Sequence, residues 1–93
     1  SSDTTASTDT ALAPGLYIVA TPIGNLGDIS PRALAVLAGA SLIACEDTRV
    51  TGKLLHYFNI STRMMPYHDH NAARVRPALI ARALAEPVAL VSD

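Results

Sequence analysis

Short apolar runs alternate with longer mixed stretches along this chain, and the alternation is regular enough to assign elements. Residues 16–20 (LYIVA) are an almost unbroken apolar run with β-branched members, the pattern of a strand buried on both faces. Residues 21–28 (TPIGNLGD) carry Pro22, Gly24, Asn25 and Gly27 and read as a loop. Ser30 followed by Pro31 is a helix start, because a serine hydroxyl can accept from a free first-turn amide and proline has no amide hydrogen to lose. The helix runs over 32–38 with Gly39 to close it. Its Ala, Leu and Val stand on nearly every side, so it is expected to be well covered.

Residues 41–45 (SLIAC) form a second buried strand. Asp47 or Thr48 caps a helix over 49–58, which Asn59 ends in the left-handed conformation. Residues 63–67 (RMMPY) are a weaker strand, and Pro66 puts it at an edge or a strand end. Met64 and Met65 read as core filling. Residues 68–71 (HDHN) are a loop, with Asn71 as cap of a helix over 72–85 whose Val75, Leu79 and Ala83 recur every fourth position. Pro87 breaks that helix, and residues 88–91 (VALV) are a fourth buried strand.

The order β-α-β-α-β-α-β predicts an α/β fold: a parallel sheet with flanking helices and right-handed crossovers. In such a sheet the strand carboxyl ends share one edge, and ligands bind just outside it. That edge is expected to collect the 21–28 loop, Glu46-Asp47, Ser92-Asp93 and the His68-Asp69-His70 segment.

The 93 residues allow one domain. Residues 1–14 are nearly all Ser, Thr, Asp and Ala and are expected to form a disordered arm, with the α/β domain spanning 15–93. A formal net charge of −1 gives no global attraction to nucleic acid, so any RNA contact must be local. Cys45 is the only cysteine, which rules out an internal disulfide and suits a reducing cytoplasm. No signal-peptide pattern opens the chain, and no apolar run approaches the roughly 18 residues of a membrane span.

Several residues could carry chemistry. Gly24 and Gly27 let a backbone approach an anionic ligand, or simply make a strand-to-helix turn; the loop is neither GxGxxG nor a Walker loop. Glu46 lies nineteen positions beyond Gly27, where dinucleotide folds hold a ribose hydroxyl; it could equally be a surface acid beside a helix cap. Asp47 reads as that cap. Arg49, Lys53 and His56 form one polar stripe, fit for phosphate or for solvent. His68, Asp69 and His70 lack the ligand set and spacing of a zinc site, so no metal is expected.

The strings GLYIVATPIGNLGDIS, CEDTRVTGKLL, PYHDHN and VALVSD, in that order, closely resemble the ribosomal small-subunit RNA methyltransferase I family of the tetrapyrrole (corrin/porphyrin) methylase superfamily. The resemblance covers nearly all of 15–93, and EDTR-x-TGKLL is its most specific part. It implies an enzyme of two α/β domains, typically a homodimer, with S-adenosylmethionine folded in the cleft between them. It implies methylation of the ribose 2′-oxygen of a cytidine in the decoding region of 16S RNA, on the 30S subunit. In the family, VSD runs on into a Gly/Pro-rich segment that contacts the cofactor. The sequence stops short of it and of the second domain, so the chain is expected to be an amino-terminal piece, inactive alone.

The resemblance moves Glu46-Asp47-Thr48-Arg49 away from cofactor ribose and toward a substrate-side or architectural role. It places cofactor contact on Pro22 and its neighbours Ile23 and Gly24, and on Asp93; Asn25 of the first loop and Arg49 and Lys53 of the helix stripe are the expected substrate contacts. Glu46, Asp47 and His68 are candidate bases by residue type alone. The rivals are a tetrapyrrole C-methylase, against which EDTR and TGKLL argue, a nucleotide-binding module, whose glycine pattern is missing, and a non-catalytic interaction domain.

Overall fold

The computed structural model describes residues 12–21 and 26–92, so Pro22, Ile23, Gly24, Asn25 and Asp93 lie outside the described residues, as does most of the expected arm. Leu12, expected inside the arm, packs against the core, and the Tyr17 hydroxyl donates to the Ala13 carbonyl at 2.8 Å.

Four strands form one sheet: β1 (Gly15–Ala20), β2 (Leu42–Cys45), β3 (Met64–Pro66) and β4 (Pro87–Ser92). Their order is β1-β4-β2-β3 and every pairing is parallel. Between them run α1 (Pro31–Gly39), α2 (Thr48–Tyr57) and α3 (Ala72–Ala83). The connections β1 to β2 and β2 to β3 travel one way across the sheet, and β3 to β4 travels back. With right-handed crossovers, α1 and α2 must cover one face and α3 the other.

The core follows from that arrangement and from the two-residue period of the strands. Val19, Ile43, Cys45, Ala89 and Val91 point to the α1/α2 face and meet Val36, Leu37, Leu54 and Leu55. Leu42, Ala44 and Val88 point the other way and meet Leu79, with Val75 and Ala83 packed alongside. The predicted spacing of Val75, Leu79 and Ala83 thus holds. Met64 packs into the first cluster and Met65 into the second, as core filling requires.

Local signals set the helix ends. The Ser30 hydroxyl accepts from the Ala33 amide at 3.1 Å, with Pro31 opening α1. Asp47 caps α2, and Asn59 follows it with φ 58°. Pro66 ends β3, an edge strand.

Three expectations need correction. β1 is not buried on both faces: Leu16 is 50% and Ile18 65% exposed, because β1 is an edge strand and α3 leaves part of its face open. Nor is α1 well covered: Val36 and Leu37 are buried, while Arg32, Ala35 and Ala38 are exposed. Alanine favours helix on either side, so its presence did not mark a buried face. Gly39 stays inside α1, and the end is made by Ala40 in extended backbone and by the Thr62 hydroxyl, which donates to the Leu37 carbonyl at 2.8 Å.

Candidate ligand cleft at the carboxyl edge of the sheet

β2, β3 and β4 stop at a common edge and leave a cleft of about 350 Å³, within the usual range for small-molecule sites. Glu46 and Asp47 enter it from the end of β2, and Val50 and Thr51 from the first turns of α2. Tyr67, His68 and Asp69 follow β3, Ala72 and Arg76 come from α3, and Leu90, Val91 and Ser92 form the β4 wall.

Each polar group is held differently. Asp47 accepts the Arg49 amide at 2.9 Å, and this bond holds its carboxyl below the usual carboxylate range. The Arg49 guanidinium, 3.6 Å away, acts in the same direction. Cys45 lies behind this wall, 1% exposed; burial pushes its thiol up, and a bond with the Thr51 side chain pulls it partly back. Glu46 is exposed at the cleft rim.

The loop after β3 is organised by Asn71. Its Oδ1 accepts the His68 amide at 2.8 Å, and its Nδ2 donates to the Pro66 carbonyl at 3.0 Å. Asn71 therefore occupies the predicted cap position of α3 without making the side-chain cap bond expected of it. Both ends of its amide are committed to the loop. This holds the His68 backbone at the cleft, where the His68 ring meets His70 edge-on, centroids 5.7 Å apart. The His68 Nδ1 is buried and has no partner among the described residues. The Arg76 Nε donates to the Tyr67 hydroxyl at 2.9 Å.

At the far wall the Ser92 carbonyl accepts the Thr21 amide at 2.9 Å, so the end of β1 stands beside the end of β4. The structure thus brings Glu46, Asp47, His68 and Ser92 into one cleft. It does not bring Arg49 and Lys53 there. They flank a shallow hollow on the outer side of α2, with Asp47 and Val50. Tyr67 and Arg76 escaped sequence reasoning. Arg76 stands one turn beyond Ala72, but only the docking of α3 shows that this side of the helix looks into the cleft.

Among the described residues no three His, Cys, Asp or Glu side chains converge as a metal site, and no described helix is long and apolar enough to cross a membrane. The cleft can hold a small molecule against a lining that mixes apolar Val50, Leu90 and Val91 with the carboxylates of Glu46, Asp47 and Asp69.

Comparison with known proteins agrees with this architecture. The chain is 58% identical over 82 residues to the protein named ribosomal RNA small subunit methyltransferase I of Vibrio cholerae, covering 87% of this chain and 28% of that one. It is 54% identical over 83 residues to the protein of that name from Mesorhizobium japonicum, covering 88% and 28%. It is 53% identical over 79 residues to that from Escherichia coli O157:H7, covering 84% and 28%. The chain thus spans little more than a quarter of these curated relatives. The family profile described as tetrapyrrole (corrin/porphyrin) methylases matches residues 15–93, where the parallel sheet and its cleft lie, and the chain belongs to that family.

Proposed function

We propose that this chain is the amino-terminal α/β part of an S-adenosylmethionine-dependent methyltransferase that modifies the ribose 2′-oxygen of a decoding-region cytidine in 16S RNA. Cytoplasmic action on the 30S subunit by a homodimer belongs to the same proposal. The observation that carries it is the gathering of Glu46, His68 and Ser92 in one carboxyl-edge cleft, in a chain about half identical to small-subunit RNA methyltransferases.

The cleft residues fit the methyl donor. Val50, Leu90 and Val91 offer an apolar surface, and the carboxylates of Asp47 and Asp69 suit a cation. Pro22, Ile23, Gly24 and Asp93 are proposed to complete cofactor contact, and Asn25, Arg49 and Lys53 to meet RNA. The donor supplies an electrophilic methyl group on a sulfonium. What remains for the protein is to align the ribose oxygen, exclude water and accept a proton.

Asp47 is poorly suited to take that proton, since its oxygen caps α2 and its carboxyl is held ionised. Its contribution is to fix the turn that presents Glu46. Glu46 and His68 are the remaining cleft groups of a type that can act as base.

The test is methyl transfer to 30S subunits by the full-length protein, with the modified position mapped by resistance of the ribose to alkaline cleavage. Transfer to the 2′-oxygen, strongly slowed by His68→Ala or Glu46→Gln while cofactor still binds, is the expected result. A methyl group on a base, or a tetrapyrrole as the only acceptor, would remove this reading. The 93-residue chain spans 28% of its curated relatives, and it is expected to bind the donor more weakly than the full-length protein.

A further inference from the structure

Arg76 is not an ordinary surface arginine. Its Nε is engaged by the Tyr67 hydroxyl at 2.9 Å. Tyr67 is itself fixed, because its amide donates to the Cys45 carbonyl at 2.8 Å and its side chain packs against the α3-side core. One nitrogen of the guanidinium is thus braced from behind. Its two terminal nitrogens make no ion pair with any carboxylate among the described residues. A braced, planar, uncommitted guanidinium is the donor geometry that meets an oxyanion through two parallel bonds.

Its surroundings say which oxyanion. The cleft beside it is acid-lined by Glu46, Asp47 and Asp69, and the net charge is −1. An RNA backbone therefore gains nothing from the general field here and must be seated by particular cations. Arg76 supplies one on the α3 side of the cleft, and Arg49 and Lys53 stand on the α2 side. A cation at the mouth of an acid-lined cleft, with Arg49 and Lys53 at the neighbouring hollow, suits a strand that passes with its phosphates outside and one sugar turned in.

We infer that Arg76, braced by Tyr67, seats a phosphodiester of the RNA substrate at the mouth of the cleft; this rests on reading the cleft as a site of methyl transfer to RNA. Arg76 is a binding residue and Tyr67 a positioning residue for it.

The experiment uses the full-length protein with Arg76→Ala, Arg76→Lys and Tyr67→Phe. RNA binding to 30S subunits is followed across a salt series, and S-adenosylmethionine binding by calorimetry. Arg76→Ala should weaken RNA binding about ten-fold and lower the salt slope by about one, with donor affinity unchanged. Arg76→Lys should keep the slope but recover only part of the affinity, since it restores charge without the fork. Tyr67→Phe should fall between wild type and Arg76→Ala. If Arg76→Ala melts early, Arg76→Lys carries the comparison. Unchanged RNA affinity and slope would make Arg76 a solvated side chain and overturn the assignment. Lost donor affinity with intact RNA binding would overturn it too, by giving Arg76 to the donor's carboxylate. In both cases the wild-type protein would still methylate RNA. If wild type neither binds nor methylates 30S subunits, the functional reading itself has failed and the anchor falls with it.

Discussion

Asn71 shows how one buried amide can shape a site. It is 8% exposed and satisfies the His68 amide and the Pro66 carbonyl at once. Removing it strands two backbone groups at the cleft wall. Asn71→Ala should therefore cost about 1–3 kcal/mol in urea unfolding, from the stranded groups alone. It should also shift the His68 and His70 ring signals in NMR spectra; unaltered stability and spectra would mean that water replaces the amide without loss. Cys45 is a buried thiol whose Sγ donates to the Met65 carbonyl at 3.9 Å. Burial raises its thiol above the ordinary value, so the folded state disfavours the thiolate. The sign follows: this contribution to stability is intact below the unfolded-state pKa and is lost as pH rises through the raised folded value. Cys45 should resist thiol reagents at neutral pH until the chain unfolds, and stability should decline on the alkaline side. Rapid labelling under native conditions would contradict the buried placement.

At the scale of the element, α2 divides its labour by face. Thr51, Leu54 and Leu55 are buried, and Arg49, Lys53 and His56 are exposed. Among the described residues the stripe reaches the cleft through Arg49, whose Nε lies 3.6 Å from the Asp47 carboxylate, with the arginine side chain 88% exposed. A pair so exposed adds little to stability, so its charges remain available to a partner. Arg49→Ala and Lys53→Ala in the full-length protein should weaken RNA engagement more than donor binding and flatten its salt dependence. Normal binding and methylation across a salt series would leave the stripe a solvated face. The periodicity and the Asp47 cap were legible in the sequence because both act within a turn or two of the chain. The separation of Arg49 and Lys53 from the cleft was not, since it depends on how α2 is rotated against the sheet.

At the scale of the molecule, the open face of β1 stands out. Leu16 and Ile18 of β1 are exposed, as are Ile80 and Leu84, the last at 81%. Leu16, Ile80 and Leu84 line an almost wholly apolar groove of about 320 Å³ between β1 and α3. An apolar groove of this kind drives association. The 93-residue chain alone should self-associate, and Ile18→Ser with Leu84→Ser should reduce this without changing the circular dichroism of the fold. Sedimentation showing a monomer at all concentrations for the unaltered chain would count against it.

What the sequence alone determined was local. Apolar runs and punctuating Pro, Gly and Asn located the four strands and three α-helices of the described residues within a few residues, because strand period, caps and breakers act over short distances. Parallel strands then implied one shared carboxyl edge, so Glu46, Asp47, His68 and Ser92 are expected together from the sequence alone. The order β1-β4-β2-β3 was decided only by the tertiary structure. LYIVA and VALV read alike as apolar runs, yet one became an open edge and the other a covered centre. Which strand is central depends on how helices on two faces share the apolar area of the whole sheet, a long-range balance that no short window contains. The same docking turned Arg76 and Tyr67 toward the cleft, and that pairing exists only once α3 lies across the sheet.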